Sequence, residues 1–207
     1  MPNYKLSYFD FDGGRAEAIR IAFHSGKIEF DDHRLSFAQF AEFRQSTPFN
    51  SIPVLEIDGN LITQTNPILS YIGKLTHLYP INDLQALYCE EVMSAIEDIS
   101  HHLVKTFGLK DDELKQAREQ FVKGWLSTIL KGLESLLIRS NDDYFCDGKL
   151  TVADIKCFVQ INSLTKGALD HVPTDLVESL TPKLFAHFNR MKNEPIIQAY
   201  YTMRTEK

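Results

Sequence analysis

The stretch Ser51–Ser70, SIPVLEIDGNLITQTNPILS, decides how the rest of the chain is read. Val54–Ile57 is a short apolar run carrying one acid, and Asp58-Gly59 follows it. A run of that length closed by Asp-Gly predicts a strand, a tight turn and a second strand through Leu61-Ile62. Gln64-Thr65-Asn66-Pro67 then predicts a helix start. Thr65 would be its cap, and Pro67 lies in the first turn, where a missing N–H costs nothing. Pro53 stands directly before the first strand. A proline there either opens an edge strand or follows a cis bond in a tight corner. The cis alternative leaves the N–H and C=O of Ile52 unpaired and exposed. A helix N-terminus a few residues later offers free amides to an anion. Together these features suit an extended peptide that carries a carboxylate.

Toward the N-terminus, Lys5–Phe9 alternates and predicts a strand, and Asp10–Gly14 a polar loop. Arg15 to Gly26 carries Ala18, Ile19, Ala22 and Phe23 at helical spacing, with Gly26 as its stop. Glu29–Arg34 reads as a second strand and Phe37–Phe43 as a short helix or turn. The helix at Asn66 runs to Leu75. The order β-α-β, then β-β-α, is that of a thioredoxin-like domain, expected over residues 1–78. Thr76–Asp83, with Pro80 and Asn82, reads as a linker.

Beyond it the strand signal vanishes, so residues 84–207 are expected to form an all-helical second domain. Leu84–Phe107 predicts one long helix with Leu87, Val92, Ile96, Ile99 and Leu103 as its stripe. A second starts at Asp111-Asp112-Glu113 and continues through Phe121, Trp125, Ile129 and Leu133 to about Arg139. Thr151–Asp154 is a capping box opening the buried helix Val152–Gly167, with Leu150 placed as a staple. Thr181-Pro182 starts a helix to about Asn193, and Pro195 opens the last one.

The net charge of −6, with no basic stripe, argues against a nucleic-acid partner. Three cysteines without a CxxC spacing argue against a disulfide framework and a redox dithiol, and for a reducing, cytoplasmic compartment. No apolar run reaches membrane-spanning length, and Met1–Lys5 is too polar for a secretory signal. No membrane partner is expected.

Ser51-Ile52-Pro53-Val54-Leu55, with Gln64-Thr65 twelve residues after Ile52, resembles the glutathione-binding core of the cytosolic glutathione transferases. Tyr4–Phe9, then Gly14-Arg15-Ala16-Glu17 with Ile19-Arg20, resembles the amino terminus of their sigma class, which includes haematopoietic-type prostaglandin D synthases. Leu150–Asp154 resembles the capping motif of their helical domain. The three matches follow in order across nearly the whole chain.

The resemblance implies an enzyme that conjugates glutathione, its co-substrate, to small hydrophobic electrophiles. Tyr8 would activate the thiol. A free thiol has a pKa of about 8.5, and a phenol O–H donated to the sulfur favours the nucleophilic thiolate. Without the resemblance, Tyr8 reads as a core aromatic. Arg15 would brace the sulfur; otherwise it is solvated or paired with Glu17. Arg44 would reach the glycyl carboxylate, or make a surface salt bridge. Ile52 would pair with the cysteinyl backbone, with Ser51 and Pro53 beside it. Gln64 and Thr65 would hold the γ-glutamyl carboxylate. Asp98, beside Glu97, would cross a homodimer interface toward the partner's ligand, or be plain solvated surface.

Departures from the pattern bear on these roles. Phe40 stands where a tryptophan donor is usual, so packing is its simpler role. The Asp10–Gly14 loop is one residue longer, with Asp12 about where an arginine is usual, an acid that would disfavour anionic co-substrates. Ser94 replaces one of three acids that hold a divalent metal in the prostaglandin synthases, so no metal is expected. The neighbours His101 and His102 point about 100° apart on a helix and read as surface. No pocket aromatic is evident near Lys105. A binding protein or crystallin-like relative without turnover, and a glutathione-dependent prostaglandin D isomerase, stay open as alternatives.

Overall fold

In the computed structural model, which describes residues 2–205, β1 (Tyr4–Phe9) is an inner strand of a four-stranded sheet ordered β2-β1-β3-β4. β2 (Asp31–Leu35) runs parallel to β1, while β3 (Val54–Ile57) pairs antiparallel with β1 and with β4 (Asn60–Thr63). The β3–β4 turn has Asp58 at φ 49° and Gly59 at φ 86°, the left-handed pair that a two-residue hairpin demands. The Asp58 carboxylate accepts from the Asn3 amide at 2.9 Å, tying this turn to the start of β1.

Helix α1 (Gly14–Ser25) links the two halves of the molecule. It packs on α3 (Thr65–Leu75) beside the sheet and on α7 (Val152–Thr165) in the helical half. Ile19, Phe23, Leu6, Leu55, Ile68 and Ile72 are fully buried there, in one core continuous with that of the helices. Gly26 caps α1, but at φ −80°; the left-handed residue is Lys27, at φ 51°. Gly26 is a matter of space, because a Cβ on it would lie 2.4 Å from Thr76 Cγ2. The expected strand at Glu29 starts two residues later. α2 (Phe37–Phe43) forms as expected, behind a capping box of Ser36 and Gln39.

Thr65 is not a cap. Gln64 takes the capping position at φ 72° without a side-chain bond, and Thr65 is the first helical residue, buried.

α4 (Asp83–Val104) starts at an Asn82 cap that accepts from the Leu84 and Gln85 amides, and stops short of Phe107. Leu87, expected in its buried stripe, is 62 % exposed. The helix expected from Asp111 is α5 (Asp111–Phe121), a π-helical turn at Val122–Leu126, and α6 (Ser127–Ser140). A π turn inserts one residue, which moves the buried stripe from Trp125 and Ile129 to Leu126 and Leu130, and it meets the expected one again at Leu133. Trp125 is left outside, stacked on His102 at 4.4 Å.

The capping box of α7 forms, and Asp154 is completely buried. Its carboxylate accepts from the Thr151 amide (2.9 Å) and hydroxyl (2.8 Å), the Phe145 amide (3.1 Å) and His187 Nε2 (2.9 Å). A short helix α8 (Leu176–Leu180), without a signal in the sequence reading, precedes α9 (Pro182–Met191) and α10 (Pro195–Thr205). No helix among the described residues is long and apolar enough to cross a membrane.

Candidate active site

Tyr8 lies near the end of β1 and is 5 % exposed. Its hydroxyl oxygen accepts the backbone N–H of Arg15, in the first turn of α1, at 3.1 Å. The turn into the helix makes this possible. Gly14 sits at φ 65°, and a Cβ there would stand 2.8 Å from the Tyr8 hydroxyl. Burial pushes the phenol pKa up, and it stays raised although the Arg15 amide and the charges of Arg15 and Arg20 pull the other way. The phenol is therefore protonated at neutral pH. Its oxygen is occupied by an amide, and its own proton is the one it can give.

Arg15 does not pair with Glu17. Its guanidinium bonds Glu97 of α4, whose other oxygen accepts from Lys156 of α7 at 2.8 Å. Burial alone would raise the Glu97 carboxyl pKa, but Lys156 and Arg15 outweigh it and hold it below the ordinary range. Glu17 is buried against Arg20, which also bonds Asp32 at 2.9 Å and the Phe11 carbonyl at 3.3 Å.

In the loop beside Tyr8, Asp12 bonds Arg204 of α10 at 2.7 Å and Arg34 of β2 at 3.3 Å. Partial burial works against the ionised form, yet the two guanidiniums, Arg204 first, keep its pKa below the ordinary carboxylate value. Asp12 is thus not the free negative charge that its position in the sequence suggests. Phe11, in the same loop, lies edge-on to the Tyr8 ring at 5.8 Å and is partly exposed.

The Ile52–Pro53 peptide is cis. Among the described residues neither the amide nor the carbonyl of Ile52 has a hydrogen-bond partner, although the residue is mostly buried. The Ser51 amide donates to Thr47 Oγ1 at 3.2 Å. Gln64 is exposed at the start of α3, with Thr65 below it. Arg44 is exposed, its guanidinium 5.5 Å from the centre of the Phe40 ring rather than in a salt bridge. Phe40 in turn lies edge-on to Phe9 at 5.0 Å, a packing contact. Asp98 points outward on α4, next to the inward-facing Glu97. Among the described residues no group of three or more His, Cys, Asp or Glu is gathered as a metal site would need.

Tyr8 and Arg15, expected at one site, meet through the Arg15 amide. Of the pair Glu97-Asp98, it is Glu97 that bonds Arg15, and Asn66 and Lys156, to which the sequence assigns no role, join the same network. A signal existed: Lys156 is the one basic residue in the apolar run Ala153–Val159. A groove of about 1320 Å³ between α1, β2 and α10 includes none of Tyr8, Ile52, Gln64 or Thr65.

Residues 4–74 match the family model described as glutathione S-transferase, N-terminal domain, and residues 97–204 that of the C-terminal domain. The chain belongs to the glutathione S-transferase family. Similar members include the hematopoietic prostaglandin D synthase of Mus musculus, 30 % identical across all of this chain and 98 % of that protein. A probable glutathione S-transferase of Caenorhabditis elegans is 28 % identical, covering 99 % of this chain and 98 % of its own. The solved prostaglandin synthase D of Nilaparvata lugens superposes on this transferase with a TM-score of 0.84 at 25 % identity, covering 98 % of both chains.

Proposed function

We propose that this transferase binds glutathione across the cis-proline corner and the start of α3, and ionises its thiol at Tyr8 for attack on small hydrophobic electrophiles. The Tyr8 hydroxyl carries the reading. It is protonated, anchored by the Arg15 amide and next to a cationic guanidinium. On that reading the thiol loses its proton to solvent, and the Tyr8 O–H donates to the sulfur anion. The thiolate then forms a bond to the electrophilic carbon as the leaving group departs. The unpaired groups of Ile52 suit the cysteinyl main chain as an added strand. The first amides of α3, with Gln64 and Thr65, suit the γ-glutamyl carboxylate, and Arg44 the glycyl one. Phe40 contributes contact, not a hydrogen bond. The neutralised Asp12 and the exposed face of Phe11 favour apolar, planar co-substrates.

The purified protein is expected to be retained on immobilised glutathione and to convert a chlorodinitrobenzene-type acceptor. Retention without turnover would leave a binding protein; neither result would end the glutathione reading. Similarity to prostaglandin D synthases supports a second activity, isomerisation of a prostaglandin endoperoxide with glutathione. Product analysis with that substrate separates the two.

We also read the protein as a cytoplasmic homodimer, with residues 1–78 and 84–207 as its two domains. Leu61 and Ile62 of β4, Tyr71 of α3, and Leu84 and Leu87 of α4 are apolar and exposed on elements near one another in the fold. Asp98 lies farther along α4, where it could approach a partner's site. Gel filtration at several concentrations tests the dimer.

A further inference from the structure

Lys156 has no part in the roles assigned above. It sits in α7 and is 5 % exposed. A buried ammonium persists only if its N–H groups are bonded and its charge is met. Here Lys156 donates to Glu97 at 2.8 Å, to the Met93 carbonyl at 3.0 Å and to the Asn66 side-chain oxygen. Glu97 leads on to Arg15, and the Arg15 amide holds the Tyr8 hydroxyl. Asn66 follows Thr65 in the first turn of α3. One cation therefore joins both ends of the glutathione site: the phenol and the helix start.

The charges can be counted. Arg15, Glu97 and Lys156 together carry one net positive charge. Without Lys156 the group is neutral, and Glu97 is left to Arg15 alone. The other charged groups that act here are Glu90 on α4 and Arg20 on α1; α3 contributes only the neutral Asn66. On α7 itself, Asp154 is occupied by His187, Thr151 and the Phe145 amide. Burial holds the Lys156 pKa below the ordinary ammonium value; Glu97 opposes that and Arg15 adds to it.

We propose that Lys156 is a positioning residue for glutathione transfer: without touching substrate, it fixes Arg15 through Glu97 and the start of α3 through Asn66, and supplies the positive charge that keeps the bound sulfur ionised. This rests on the Tyr8 reading above. One unit charge acting over roughly 10 Å at an effective dielectric of about 20 is worth about one pH unit.

The test is the acid limb of kcat/KM against pH. Lys156→Met is expected to move the limb up by about one unit, about a tenfold loss below it, and to raise KM for glutathione. Glu97→Gln is expected to move the limb down, and Lys156→Arg to leave it near wild type. Should Lys156→Met not fold, the double variant Glu97→Gln/Lys156→Met removes the stranded carboxylate. Its net charge equals that of the wild type, so its limb is expected near the wild-type value and above that of Glu97→Gln, whose downward shift then carries the test. A purely structural ion pair would lower Tm in these variants and leave the limbs in place; that result, or an upward shift in Glu97→Gln, overturns the proposal. A wild-type protein that neither binds nor conjugates glutathione removes the parent reading and this one with it. An active wild type with unmoved limbs removes this one alone.

Discussion

Replacing Tyr8 by phenylalanine deletes one oxygen and keeps the ring that packs against Phe9 and Phe11. Two bonds go with it: the 3.1 Å contact accepted from the Arg15 amide, and the proposed donation to the glutathione sulfur. A hydrogen bond to an ionised partner contributes about 1.5–3 kcal/mol. At about 1.4 kcal/mol per factor of ten, kcat/KM should fall roughly 10- to 150-fold, and the acid limb should rise by about one to two pH units. The gap should close at high pH, where the thiol is ionised in both proteins. The wild-type phenol, held protonated by burial, should not itself titrate in that range. The fold should lose little, because the orphaned Arg15 N–H belongs to a helix start. A cost of about 1 kcal/mol corresponds to roughly 2–4 °C in Tm. The assay is a pH–rate profile with an aryl chloride, paired with thermal melting by circular dichroism. A rate ratio below about threefold that does not change with pH would refute the reasoning, because a donor to the thiolate must act through the ionisation.

Gly14→Ala forces a side chain onto a backbone at φ 65° and sets a Cβ 2.8 Å from the Tyr8 hydroxyl; turnover should drop at least about tenfold while Tm falls by a few degrees, the strain being about 1–3 kcal/mol. Asp154→Ala orphans four buried hydrogen-bond donors and should cost about 3–5 kcal/mol, a Tm loss near 10 °C, with activity per folded molecule little changed in the cold. The carboxyl pKa values of Glu97 and Asp12 are both held low by arginine or lysine partners. Groups lowered in the folded state stabilise it above the unfolded carboxylate pKa of about 4 and lose that effect as pH falls through the lower folded value. Tm should therefore hold between pH 7 and 5 and decline below about 4, less steeply in Glu97→Gln.

Elements carried by local chemistry could be read directly from the residues. Asp58-Gly59 specified its turn, Thr151–Asp154 its capping box and Pro182 its helix start, because each acts within four residues. Gly26 stops α1 as read, but the reason for its size, like the failures elsewhere, lies beyond local chemistry. Gly26 is small because Thr76 approaches it, and Leu87 is apolar yet lies outside the core. The π turn at Val122–Leu126 breaks the four-residue spacing that made Trp125 look buried. The same holds at the site. Tyr8 and Arg15 are seven positions apart, and their meeting could be anticipated, whereas Glu97 meets Arg15 across 82 positions and Lys156 meets Asn66 across 90.

Asp12 and Arg204, separated by 192 positions, clasp each other in the loop that follows Tyr8. Work with the carboxyl terminus therefore reaches the loop beside Tyr8. A truncation that takes Arg204 unhooks that loop on one side, and a bulky fusion partner placed just beyond it will load the same clasp. Affinity handles for this enzyme belong elsewhere, and the opening eighty residues expressed alone should make a poor substitute for the whole.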